Sequence, residues 1–68
     1  MTVLEAVPID RDSLRLRNEF LELPGLSVTV PQAARLFGVR LERAALMLEQ
    51  LEHEGFLHRD THGTYRRV

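Results

Sequence analysis

The stretch "TVPQAARLFGVRLERAALML", Thr29 to Leu48, decides the fold of this chain. Thr29 with Gln32 three residues on fits a capping box, in which each side chain satisfies a backbone N–H of the other at a helix start. Pro31 is tolerated in a first turn, where its missing N–H has no intrahelical partner to lose. The helix that follows runs to about Leu36 or Phe37. Gly38 allows a sharp turn. A longer helix begins near Arg40 or Leu41 and continues through "LERAALMLEQLEHE". Ala44, Leu48 and Leu51 fall on one face of it, with Leu41 and Met47 beside them. Gly55 suits the residue just past its end.

Working outward, the C-terminal "GFLHRDTHGTYRRV" holds two short β-type runs, "FLHRD" and "TYRRV". They join through His62-Gly63, where glycine supplies a positive φ. On the other side, "LSVTV", residues 26–30, is short, alternating and β-branched, and reads as a brief strand. Before it, Leu16, Phe20 and Leu23 fall at i, i+4 and i+7, flanked by Leu14 and Leu21, which marks an amphipathic helix. Asp10 or Asp12 can cap that helix, and Pro24-Gly25 ends it. Residues 1–11 form an N-terminal arm, with Val3, Leu4, Val7 and Ile9 around Pro8. The arm is a tail, or it packs on the body or on a second copy. The expected architecture is α+β, mainly α, over residues 12–68. Three helices carry a small antiparallel sheet that covers one edge of a helical core.

Composition narrows the function classes. One domain of 68 residues, 44% hydrophobic and 28% charged, suits a globular fold with a core of limited size. No cysteine is present, which removes disulfides, thiolate metal sites and cysteine nucleophiles. No apolar run approaches the roughly 18 residues of a membrane span. The first ten residues lack a basic n-region, so a cytoplasmic location is expected. His53, His58 and His62 are spread over a helix end and a hairpin, and no metal site or other cofactor is expected. Ser13 and Ser27 lack a histidine–carboxylate arrangement, and Glu52 with Glu54 reads as a wet helix face. No catalytic residues and no enzymatic activity are expected.

Charge distribution says more than the net charge of −1. Residues 1–34 hold three arginines against five acids, and residues 35–68 hold six against five. Every basic residue other than histidine is arginine, the residue suited to bidentate contact with phosphate or guanine. A GC-rich genome would favour the same choice.

"VPQAARLFGVRLERAALML" resembles a helix-turn-helix, and the hairpin after it resembles a wing. The likeness is to the winged helix-turn-helix superfamily, the small repressor-like kind of bacteria and phages, and covers about residues 12–68. Ala34 stands four before the turn glycine. Small or apolar residues occupy Ala33, Phe37, Val39, Ala44 and Met47, where the motif holds its two helices together. "LEQLEHEGFLHR" is similar to the stretch that leads into a wing, and "HGTYRR" to a wing's returning strand. The resemblance implies sequence-specific binding of double-stranded DNA by a transcriptional regulator. Its third helix would enter the major groove, with Arg40, Glu42, Arg43, Ala45 and Leu46 facing the bases, and the wing would touch the backbone.

The residues themselves give a matching list of candidates. The face of the third helix turned from the core should hold Arg40, Glu42, Arg43, Leu46 and Glu49. Arg43 is the candidate for a guanine edge and Arg40 for phosphate; both also read as solvated arginines paired with Glu42 or Glu49. Those glutamates repel phosphates, although glutamate can accept from cytosine N4. Arg59, Arg66 and Arg67 alternate in facing along the hairpin. Of these, Arg59 and Arg66, with His62, are the choice for backbone or minor-groove contact, against a plain solvated hairpin. Tyr65 should pack on the body. Thr29 and Gln32 could present N–H groups to a phosphate, and capping alone explains them equally well. So small a module would need a dimer on a two-part site for useful specificity, with residues 3–9 and the first helix as the contact. The alternative is a winged-helix protein–protein adaptor that binds through Leu41, Leu46 and Met47 or through a sheet edge.

Overall fold

A computed structural model describes residues 11–68 of the chain. The order is α1 (Arg11–Glu22), β1 (Ser27–Val28), α2 (Val30–Phe37), α3 (Leu41–His53), β2 (Leu57–Arg59) and β3 (Tyr65–Arg67). The fold is α+β and mainly helical: three helices and one antiparallel sheet in the order β1-β3-β2. Asp10 and the apolar arm expected to make a dimer contact lie outside the described residues. Arg11, assigned to that arm, is the first residue of α1.

Local chemistry sets each boundary. At the start of α2 the Gln32 N–H donates to Thr29 Oγ1 and the Thr29 N–H donates to Gln32 Oε1, closing the capping box. This cap shortens the strand before it. Val30 enters the helix, so β1 is two residues long and not the five of "LSVTV". At the other end Gly38 takes φ 65°, and the N–H groups of Gly38 and Val39 both turn back to the Ala34 carbonyl. The chain therefore re-enters a helix after two residues. α3 ends in a Schellman arrangement: Phe56 N–H donates to the Leu51 carbonyl and Gly55 N–H to the Glu52 carbonyl, with Gly55 at φ 84°. That turn aims Phe56 back at the core and launches the hairpin.

The core draws on every element. Leu16 and Phe20 come from α1, Ala33 and Ala34 from α2, and Ala44, Met47, Leu48 and Leu51 from α3; Val28, Leu57 and Tyr65 come from the sheet. Ala33 and Ala44 are fully buried, and such small side chains let α2 and α3 approach closely. Two expectations are corrected. Leu23 does not extend the buried face of α1, because the helix ends at Glu22 and Leu23 enters the Pro24-Gly25 turn, exposed. Met47 belongs to the core at 3% exposure, so Leu41, Leu46 and Met47 do not form one surface patch.

Phe56 ties the hairpin to α1. Its ring meets Phe20 edge-to-face at 6.4 Å and 89°. The guanidiniums of Arg17 and Arg67 each lie 4.8 Å from its centroid, and Arg17 also pairs with Glu54 at the end of α3.

Candidate nucleic-acid interface

Strand register sorts the hairpin residues by face. Directly opposed residues of antiparallel strands share a face. Val28, Tyr65 and Arg59 are opposed in one row, and Ser27, Arg66 and His58 in the next. Tyr65, Val28 and Leu57 are buried against the helices. Ser27, Arg66 and His58 therefore lie on the outer face. Tyr65 packs on the body as expected. Arg59 has the inner parity, and it stands exposed at the end of β2 where the hairpin tip begins. Arg67 shares that parity at the other end and is taken up by Phe56.

Asp60 builds the tip. Its Oδ1 accepts from the His62 N–H at 2.8 Å and the Thr64 N–H at 3.0 Å, while its own N–H donates to the Thr64 carbonyl and its carbonyl accepts from Gly63. Gly63 closes the turn at φ 80°. The pattern of Asp followed by Gly three residues on is a turn signal that the sequence carries and that reading of the arginines passed over. The Thr64 N–H, with that of His62, holds the Asp60 carboxyl below its ordinary value. The sign follows. The carboxylate's contribution is complete above the ordinary aspartate range and is lost only as pH falls through the depressed folded value. The His62 and Thr64 amide resonances are therefore expected to titrate below pH 3.8, the ordinary value. Asp60→Ala should abolish that titration and speed exchange of both amides. A titration at the ordinary aspartate value would break the account.

With the tip fixed, a groove of about 470 Å³ forms between the start of α2, the flank of α3 and the hairpin. Thr29, Val30 and Pro31 line one side, Glu49 another, and Arg59, His62, Gly63 and Tyr65 the third. Burial raises the Tyr65 phenol above its ordinary value; nearby Arg59 opposes the shift, and Glu52 and Glu49 add to it. Arg59 and Arg66 form no ion pair among the described residues. Thr29 and Gln32 spend their side chains and N–H groups on each other, and Pro31 has no N–H, so of the first turn of α2 only Val30 keeps an N–H outside the cap.

The outward side of α3 is fixed by its buried stripe, Ala44, Met47, Leu48 and Leu51. At 3.6 residues per turn, Glu42, Leu46, Glu49 and His53 fall opposite that stripe. All four are exposed, Leu46 at 66%. Arg40 sits just before the helix with its Nε 3.7 Å from Glu42 Oε1, both side chains exposed. Arg43 lies on the flank toward α1, where its Nε donates to Asp12 Oδ2 at 3.4 Å; Arg15 pairs with the same carboxylate at 3.6 Å. The fold thus brings Arg59, His62 and Thr29 together beside α3, keeps Arg40, Glu42 and Leu46 on its open side, and sends Arg43, Arg66 and Arg67 elsewhere. Asp60, the organiser of the tip, is the addition that the candidates lacked, and Glu49, expected on the outward face of α3, also forms a wall of the groove.

Among the described residues, no group of three or more His, Cys, Asp or Glu side chains is gathered as a metal site, and no helix is long and apolar enough to cross a membrane. Comparison with protein-family models, with curated proteins and with solved structures finds no match to this chain.

Proposed function

We propose that the chain is a small winged helix-turn-helix protein that binds double-stranded DNA, as a transcriptional regulator in the cytoplasm. In this reading α2, the Gly38 turn and α3 are the helix-turn-helix, and the terminal hairpin is the wing. α3 enters the major groove with its open side, and the wing meets the backbone. The observation that carries the reading is the groove, in which the hairpin tip comes down beside α3 with an arginine that no carboxylate pairs. A reading helix needs a second helix to brace it and a positive neighbour to hold the phosphates. Both features stand on one side of this domain.

A second reading, the protein adaptor, is favoured by Leu46 exposed between Glu42 and Glu49. Salt separates the two. Two or three phosphate contacts give a slope of about −1.8 to −2.7 in log affinity against log salt. A duplex with a randomised core should therefore bind about ten- to fortyfold more weakly as salt rises from about 50 to about 200 mM. Fluorescence anisotropy of labelled duplex reads this directly. No binding at low salt by a folded protein would overturn the DNA reading, and affinity that ignores salt would favour the adaptor.

A further inference from the structure

We infer that the open side of α3 recognises a cytosine through Glu42 and a thymine through Leu46, an inference that rests on the DNA-binding reading above. The two residues lie on successive turns of one exposed line. Their separation along the helix is about 6 Å, close to two base steps of about 3.4 Å.

The base assignment follows from hydrogen-bond chemistry. An ionised carboxylate only accepts. In the major groove guanine offers two acceptors, and thymine offers an acceptor and a methyl group. Adenine sets an acceptor beside its donor, and cytosine offers an amino donor alone. Glu42 is therefore repelled by guanine and thymine, penalised at adenine and accepted at cytosine. Its nearest cation is Arg40 at 3.7 Å, and with side chains 88% and 78% exposed that pair yields readily to a better partner. Leu46 has no polar atom and matches the one apolar feature of the groove, the thymine methyl. Arg43, the residue of α3 suited to guanine, is turned to Asp12 on α1.

The same carboxylates shape the ratio of right to wrong sites. Glu42 and Glu49 repel the backbone at every sequence, and only a cytosine returns a hydrogen bond for that repulsion. Such a helix discriminates by penalising the wrong base as much as by rewarding the right one. The net charge of −1, which gives no general hold on nucleic acid, is in keeping with a binder of this kind.

The test selects duplexes from a randomised pool with the full chain and with Glu42→Gln, then titrates the winning duplex. The unaltered protein is expected to enrich a cytosine and, one or two steps away, a thymine. Glu42→Gln should move the cytosine preference to adenine, whose N6 and N7 suit a carboxamide, and keep the thymine. Replacing that thymidine by 2′-deoxyuridine, which lacks the methyl, should weaken binding about fourfold. The same replacement should leave the affinity of Leu46→Ala unchanged. Enrichment of a motif that neither Glu42→Gln nor the missing methyl alters would overturn the base assignment and leave the DNA reading standing. No enrichment and no salt-dependent binding by a folded protein would overturn both and leave the Glu42–Leu46 line to a protein partner.

Discussion

Phe20→Ala is expected to leave the domain largely unfolded at 25 °C. Phe20 has no exposed surface and sits where α1, α3 and the start of the hairpin meet. Truncating a buried phenylalanine to alanine costs about 3–5 kcal/mol through lost transfer energy and the cavity left behind. A single core in a chain of 68 residues rarely supplies more than about 3–5 kcal/mol of stability. The edge-to-face contact with Phe56 adds to the loss, and Phe56 in turn carries Arg17 and Arg67. Urea unfolding followed by circular dichroism reads the effect. The variant should show a midpoint near zero denaturant or no folded baseline, while Phe20→Leu, which keeps an apolar side chain in the space, should retain a cooperative transition. A midpoint for the alanine variant close to that of the unaltered protein would mean that this junction is not what holds the domain together.

The parts of this fold legible in the sequence are those specified within a few residues. The Thr29–Gln32 box, the Gly38 turn and the glycine at the end of α3 are local hydrogen-bond problems with few solutions, and the helices formed as their chemistry dictates. The alanines at the α2–α3 crossing were legible for the same reason: close helix approach needs small side chains. The reading failed where a local preference met a neighbour's stronger claim. Val30 has the β-branched side chain of a strand, but the cap at Thr29 commits it to a helix. Leu23 keeps the helical spacing after the helix has stopped.

The candidate site was legible in residue type and much less so in grouping. Periodicity gave the open side of α3, yet Arg43 and Glu42 adjoin in sequence and part in space. Glu42 falls opposite the buried stripe and faces out, while Arg43 falls on a flank, and only the position of α1 with Asp12 decides that this flank is engaged. Arg59 and Arg66 looked equivalent as hairpin cations. Their separation depends on the register, which pairs Arg59 with Tyr65 and Arg66 with His58. That register is set by the turn through Asp60, Thr64 and Gly63.

The three hairpin arginines should for this reason behave in three different ways. Arg59→Ala is expected to weaken duplex binding by roughly ten- to 150-fold at low salt, the worth of a charge-assisted hydrogen bond of about 1.5–3 kcal/mol. It should also lower the magnitude of the salt slope by about 0.9, since one phosphate contact disappears. Arg66 lies on the far face of the sheet in a row with Ser27 and His58, so Arg66→Ala should leave that slope unchanged. Arg67 lies over the Phe56 ring, and Arg67→Ala should show its main effect in the urea midpoint. All three replacements remove one positive charge, so a general attraction of the hairpin for polyanions would make them equal in the binding assay. Equal losses would therefore remove the hairpin's face from the proposed mechanism and leave only its charge. No loss at Arg59 would place the backbone contact away from the hairpin. A loss confined to Arg59, in a variant whose circular dichroism is unaltered, is the outcome that ties phosphate binding to the groove beside α3.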